Sequence, residues 1–360
     1  MVGFPQSKGV FSRQGQIGTP EGTYEEQYSR FGFAGDQAML YRRHSSTKWS
    51  RIEGEFRSRV ADTNEIVVPD MSDPRALPTT LLSNDDVAIC LSRRSEPMPY
   101  YFRDVDGDEV IMVQRGQGEM HTDFGVLPFR PGDYLVVPKG INYRLVPEGS
   151  DNMFYLVRTR GQIGFPDRGG LGHFVPFDLG VLDTPDPRPS DPADDQEWEI
   201  LVRREDTLTS VFYPFDPMDV VGWQGSICPF RLSMYDIRNV SSERIDIPPS
   251  GFATFETRGC LICTFTPHQV QIDPDSTYVP PLHRNVDADE ATFILATEDG
   301  KPVGRLDPGR LFLTPQGAHH GPDAPPIRPE RWSLYTMMTE TERPLMATPE
   351  YEKYARDRES

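Results

Sequence analysis

The sequence predicts a mainly β protein built from two copies of one barrel, of which only the second keeps a metal site. Residues 102–109 read FRDVDGDE and residues 283–290 read HRNVDADE, sharing Arg, Val, Asp, Asp and Glu at an offset of 181. Residues 131–143 read PGDYLVVPKGINY and residues 308–320 read PGRLFLTPQGAHH, sharing Pro, Gly, Pro and Gly at an offset of 177. Helical periodicity sustained over three turns is hard to find anywhere, while short apolar runs alternate with turn residues.

The elements follow in order. Residues 1–90 are polar with aromatic islands such as YEEQYSRFGF and are expected to form extended segments and short strands packed on the barrels. Residues 91–182 carry the runs EVIMVQ, RGQGEMHTDFGVLPF and PGDYLVVP and form the first, degenerate barrel. Within it GQGEMHTD and GVLPF read as a hairpin with Gly125 at its tip. Residues 183–196, DTPDPRPSDPADDQ, hold too little apolar surface to fold alone and read as a linker. Residues 197–345 resume with WEILVRR and ATFETRGCLICTF and form the metal-binding barrel. Residues 346–360 end in EYEKYARDRES, a frayed helix or tail.

Size and composition set limits. A chain of 360 residues has length for about two domains. The 35 Pro and 30 Gly suit short strands joined by many turns. A net charge of −18 argues against nucleic acid or an anionic membrane as partner. No apolar run approaches the ~18 residues of a membrane span. The start, MVGFPQSKGV, lacks an apolar signal core, so a cytoplasmic location is expected. Four cysteines do not make a disulfide framework, and the Cys260–Cys263 pair lies in an apolar, β-branched run that reads as buried strand.

His283 and Asn285 lie two apart, so on a strand both point the same way. Glu290 then opens the apolar run EATFIL. The segment from Pro315 to His320 has the form P-x-G-x-x-H, a tight turn that delivers His320 to the barrel mouth. The x-x spacing after Gly317 selects His320 over its neighbour His319. Two imidazoles and a carboxylate are the ligand set of non-haem Fe(II) oxygenases, although Mn or Zn would bind the same groups. The first copy has Phe102, Glu109 and Tyr143 at the matching places, so it holds no ion. The spacing from Gly309 to His320 resembles the second motif of cupin barrels, and His283-Arg-Asn285 followed by Asp289 or Glu290 resembles the first. Glu290 is favoured because it pairs with Glu109 in the repeat, and Asp289 is the alternative. The expected fold is a bicupin with an N-terminal β-rich segment.

With PPLHRN at 280–285 and TPQGAHHGPDA at 314–324, the chain resembles the homogentisate 1,2-dioxygenase family. The likeness extends to FDPMDVVGWQGSICPFRLSMYDI (215–237), GFAGDQAMLYRRHSST near the start and MMTETERPL near the end. It implies one Fe(II) held by His283, Glu290 and His320, cleavage of an aromatic ring with O2, and a homotrimer or homohexamer. The chain departs from the family in three places. The family has one residue fewer between its histidine and carboxylate, which nominates Asp289. A histidine thought to assist the substrate hydroxyl is replaced in IDIPPSGF, with Asp246 near its position. A second histidine is replaced by Thr314 or Leu313. The departures imply kept iron chemistry and an altered substrate, a dihydroxylated or amino-hydroxylated ring that homogentisate only exemplifies, with an amine or uncharged phenol favoured beside Asp246. Asp246, His268 and His319 are the candidates for a base, and Arg284 and Asn285 for fixing ligand orientation. Other metal-cupin chemistry, such as isomerisation or thiol oxidation, and a non-catalytic bicupin binding protein are the competing readings.

Overall fold

The computed structural model describes residues 6–30, 35–188, 196–276, 282–321 and 330–357. An N-terminal hairpin, β1 (Tyr24–Ser29) and β2 (Gln37–Arg42), is followed by β3 (Arg59–Asp62), β4 (Thr79–Ser83) and β5 (Val87–Ser92). Next come β6 (Tyr101–Asp104), β7 (Asp108–Thr122), β8 (Gly125–Phe129), β9 (Asp133–Val137) and β10 (Asn142–Thr159). The strands β11 (Trp198–Arg204), β12 (Thr207–Tyr213) and β13 (Phe230–Ser233) precede the second motif pair. That pair sits among β14 (Ala253–Thr257), β15 (Cys260–Phe265), β16 (His268–Gln269), β17 (Leu282–Asn285), β18 (Asp289–Thr297) and β19 (Arg310–Thr314). The chain closes with β20 (Arg331–Trp332), β21 (Leu334–Thr341), β22 (Met346–Ala347), the single helical turn α1 (Pro349–Glu352) and β23 (Arg356–Asp357).

Two large curled sheets dominate the chain, as expected of a mainly β bicupin, and β17, which bears His283, lies in a separate three-stranded sheet in the order β17-β1-β2. The first large sheet has eleven strands and contains β4 to β13 with β22; the second has seven, in the order β14-β15-β21-β18-β19-β3-β23. Their equivalence is visible in register. Glu109 on β7 faces Arg158 on β10, and Glu290 on β18 faces Glu340 on β21. The sheets share one core, in which Tyr155 of the first stacks on Phe293 of the second at 4.4 Å and 6°. Both rings are fully buried, and burial of a large apolar side chain stabilises by roughly 1.5–3 kcal/mol.

The predicted hairpin closes at Thr122 opposite Gly125. Gly125 has φ +118°, and a Cβ there would come within 2.0 Å of the Asp186 carbonyl, so only glycine fits. That contact belongs to the described part of segment 183–196, where Asp186 bridges Val126 and Asp183 bridges Arg231; residues 189–195 lie outside the described residues. The strands β11 and β12 join the first sheet through β6, and β3 joins the second through β19. At the C-terminus Tyr351 is fully buried and β23 pairs with β3, so this segment is docked onto the second sheet. Cys260 and Cys263 are buried on β15 with free thiols. Among the described residues no helix is long and apolar enough to cross a membrane.

Candidate metal centre

His283 lies on β17 and His320 just beyond the Pro315–Gly317 turn. The turn forms as the spacing predicts: Ala318 N donates to Pro315 O at 3.0 Å, Gly317 adopts φ +79°, and Gly317 N donates to Asn285 O at 2.6 Å. The two histidines then pair through their backbones, with N–O distances of 2.8 and 2.9 Å, which sets their imidazole rings 3.9 Å apart. Glu290, the second residue of β18, completes the group. Its Oε2 is 3.0 Å from His320 Nε2 and its Oε1 is 3.9 Å from His283 Nε2. All three side chains are buried, and their ligand atoms lie within 4.8 Å of one another. Among the described residues this is the group of His, Cys, Asp and Glu with metal-site geometry.

The chemistry of these groups fits a divalent ion. His320 Nδ1 lies 2.9 Å from Ala318 O and Nε2 3.0 Å from Glu290 Oε2; with the Nδ1–H given to that carbonyl, Nε2 is the atom a metal would take. Donors at right angles on an ion with bonds of about 2.1 Å stand about 3.0 Å apart, the spacing of the His320–Glu290 pair, while the His283–Glu290 pair is wider at 3.9 Å. Burial works against the Glu290 charge, but the two imidazoles outweigh it and hold the carboxyl well below the usual range. Facing it across the sheet, burial and the Glu290 charge push Glu340 up to about 8. Among the described residues neither carboxyl has a Lys or Arg ion-pair partner, and the raised Glu340 stays protonated beside the charged Glu290.

The first barrel supplies such a partner from its own chain. There Phe102 and Tyr143 replace the imidazoles and pack edge to face at 5.8 Å. Glu109 is kept, and Arg158, in the register position of Glu340, donates from Nε to Glu109 Oε1 at 2.6 Å. A guanidinium thus takes the place that an ion would hold in the second barrel.

Asp289, the alternative ligand, points to the opposite face of β18, as strand parity requires. Its Oδ1 accepts Gln316 N at 2.8 Å and its Oδ2 accepts Leu345 N at 2.7 Å. Asp108 repeats this in the first barrel, accepting Lys139 N at 2.8 Å and Ile163 N at 2.7 Å. The shared Asp staples chain segments in both copies; the Glu that follows it faces the barrel interior.

The triad lines a cavity of about 370 Å³ whose walls also include Asp246 and His268. Asp246 Oδ1 accepts Gln271 Nε2 at 3.2 Å, and burial pushes its carboxyl up to about 6. His268 Nδ1 donates to Thr266 O at 2.6 Å, and burial lowers the imidazole below its usual pKa. His319 is not on the cavity wall: its Nε2 lies 3.4 Å from Glu26 Oε1 on β1. Of the two positions where the family has its other histidine, Thr314 lines the cavity and Leu313 packs into the core. Glu26, Glu340 and Trp332 were not singled out from the sequence. Repeat alignment pairs Glu340 with Arg158, two residues of opposite charge, which hides the correspondence.

The model of the homogentisate 1,2-dioxygenase N-terminal family matches residues 78–237. A Saccharolobus solfataricus protein named "Putative dioxygenase SSO1533" is 25% identical over 334 residues, covering 87% of this chain and 83% of that protein. The homogentisate 1,2-dioxygenase of Rhodopseudomonas palustris strain BisB18 is 26% identical, over 84% of this chain and 75% of that protein. That of Nitrobacter hamburgensis is 28% identical over 62% of this chain, and the match spans about half of that enzyme, 51%. The motif residues, the register-related sheets and these likenesses agree. They make the chain similar, along most of its length, to the homogentisate 1,2-dioxygenase family, from which it diverges.

Proposed function

We propose that the protein is an Fe(II)-dependent dioxygenase that cleaves a dihydroxylated or amino-hydroxylated aromatic ring with O2. The observation that carries this is the buried His283–Glu290–His320 group opening into a cavity with aromatic walls. His283, Glu290 and His320 would hold the ion, which when bound supplies Lewis acidity toward a ring hydroxyl and a common meeting point for both reactants. The first barrel, with its guanidinium in place of an ion, is structural in this reading.

The rest is done by the chain. His268, with its Nδ1–H committed to the Thr266 carbonyl, presents Nε2 as the atom that accepts a proton from a ring hydroxyl. Phe252 and Phe265 stack at 4.7 Å and, with Phe312, Trp332 and Met338, form apolar walls for a ring and its substituent. Such cavities, at about 300–1,000 Å³, suit ligands larger than one small ring. Asp246 places a carboxyl on the same wall, so a carboxylate on the substrate would meet a like charge. The substrate class that fits is a hydroquinone or aminophenol with an uncharged, apolar substituent. The same reading carries a homotrimer or homohexamer in the cytoplasm. β12, an uncharged strand at the edge of the first sheet that is exposed along nearly its whole length, is a surface that another copy would cover.

Oxygen uptake by the Fe(II)-loaded protein tests the activity across homogentisate, gentisate, alkylhydroquinones and aminophenols. Uptake with a ring-opened product is expected, fastest with the uncharged, apolar rings. Homogentisate outrunning every other ring would overturn the substrate class, and no uptake with any ring would favour isomerisation or simple binding.

The pH profile tests the base. Burial lowers His268 from its ordinary 6.5, so it is in its accepting form at and above that pH, and protonation removes the base only on the acid side of it. The rate is therefore expected to drop on the acid side. His268→Gln should cost about 10²–10⁴-fold and abolish that acid limb. If His268→Gln keeps the limb and Asp246→Asn removes it, the base is Asp246.

A further inference from the structure

We propose that Glu26 is a positioning residue for the metal centre, one buried carboxylate that holds the chain neighbours of both histidine ligands. The inference rests on the metal reading above. Strand β1 runs parallel to β17 with Glu26 opposite Leu282 and Gln27 opposite His283. On β17 alternate side chains point to opposite faces, so His283 faces the cavity and Arg284 the other face of the sheet, beside its register partner Tyr28 and near Glu26 of β1. Glu26 is fully buried, and its Oε1 lies 3.3 Å from Arg284 Nε and 3.4 Å from His319 Nε2. Its other oxygen pairs with Arg42 of β2. Arg284 directly follows one ligand, and His319 directly precedes the other.

The two ligand segments are already joined on the cavity side by the backbone pairing of His283 and His320. Glu26 Oε1 stands at ion-pair distance from both of these segments, without hydrogen-bond geometry to either. The hairpin adds further grip, with Arg284 4.7 Å over the Tyr28 ring and Arg30 forming a two-pronged pair with Asp287. A charge in so buried a place interacts strongly with its partners because little water screens it. The imidazoles therefore reach the site in a fixed orientation before any ion arrives. Groups hydrogen-bonded directly to metal ligands typically account for about 10–100-fold in metal affinity, an upper range for a residue that acts through the ligands' chain neighbours. The N-terminal hairpin is thereby part of the metal centre, although it contributes no ligand.

The test is the equilibrium affinity of the full chain for Mn(II) and Zn(II), measured by competition with a chelator, together with the thermal midpoint of the metal-free protein. Glu26→Gln is expected to weaken binding by up to about 100-fold, and Glu26→Asp, which keeps the charge, to recover part of it. A folded Glu26→Gln protein with wild-type affinity would overturn the proposal, as would a Glu26→Asp variant no better than Glu26→Gln. If Glu26→Gln does not fold, His319→Asn decides, because that side chain is 29% exposed and its loss spares the core. Weakened binding in His319→Asn supports the clamp, and unchanged binding overturns it. Failure of the wild-type chain to bind either ion would overturn the metal reading itself and this inference with it, whereas wild-type binding that Glu26→Gln leaves intact overturns the clamp alone.

Discussion

Replacing Arg158 by methionine is expected to destabilise the fold by about 3–5 kcal/mol, because it leaves the Glu109 carboxylate buried without its cation. The Arg158 side chain is 7% exposed and that of Glu109 1%. Their ion pair is the first barrel's substitute for a metal, and Phe102 and Tyr143 close the space around it. The paired change Arg158→Met with Glu109→Leu removes both charges together and is expected to be close to neutral, since the desolvation cost disappears with the attraction. Equilibrium urea unfolding of the wild type and the two variants checks this. A single substitution costing under about 1 kcal/mol would show that Glu109 finds another partner or protonates cheaply.

Glu290→Ala is expected to remove metal binding and turnover together, while Asp289→Ala keeps the ion and loses stability. The two carboxylates are adjacent, yet they face opposite sides of β18. Glu290 faces the imidazoles, and Asp289 accepts two backbone N–H groups that tie β18 to the Gln316 turn and to Leu345. Loss of those bonds leaves two buried donors unpaired, which costs roughly 1–3 kcal/mol each. Metal content and thermal midpoint, measured on the same samples, separate the two roles. Loss of the ion from Asp289→Ala with Glu290→Ala still loaded would reverse the assignment.

Much of this site was readable from the chain because the signals are local. The turn from Pro315 to His320, the loss of both imidazoles in the first copy and the buried cysteines of β15 all follow from short spacings and strand character. Spacing alone allowed either Asp289 or Glu290. Parity separates them only once the side of β18 that meets the His283–His320 bridge is known. His319 was a fair candidate beside a ligand, but its partner Glu26 lies almost the whole chain away. Long-range strand pairing leaves no local trace, which is why β1 beside β17, β3 in the second sheet and β11–β12 in the first were not apparent. Arg158 and Glu340 escaped for a related reason, since matching positions in the repeat carry opposite charge.

The most direct test of the central claim, one metal centre in the second barrel and a guanidinium in the first, is the number of ions bound per chain. Elemental analysis after anaerobic reconstitution with Fe(II) is expected to give one ion per chain for the wild type and for Tyr143→Phe, and none for His283→Ala or His320→Ala. Two ions per chain, or an ion retained in both histidine variants, would contradict the account.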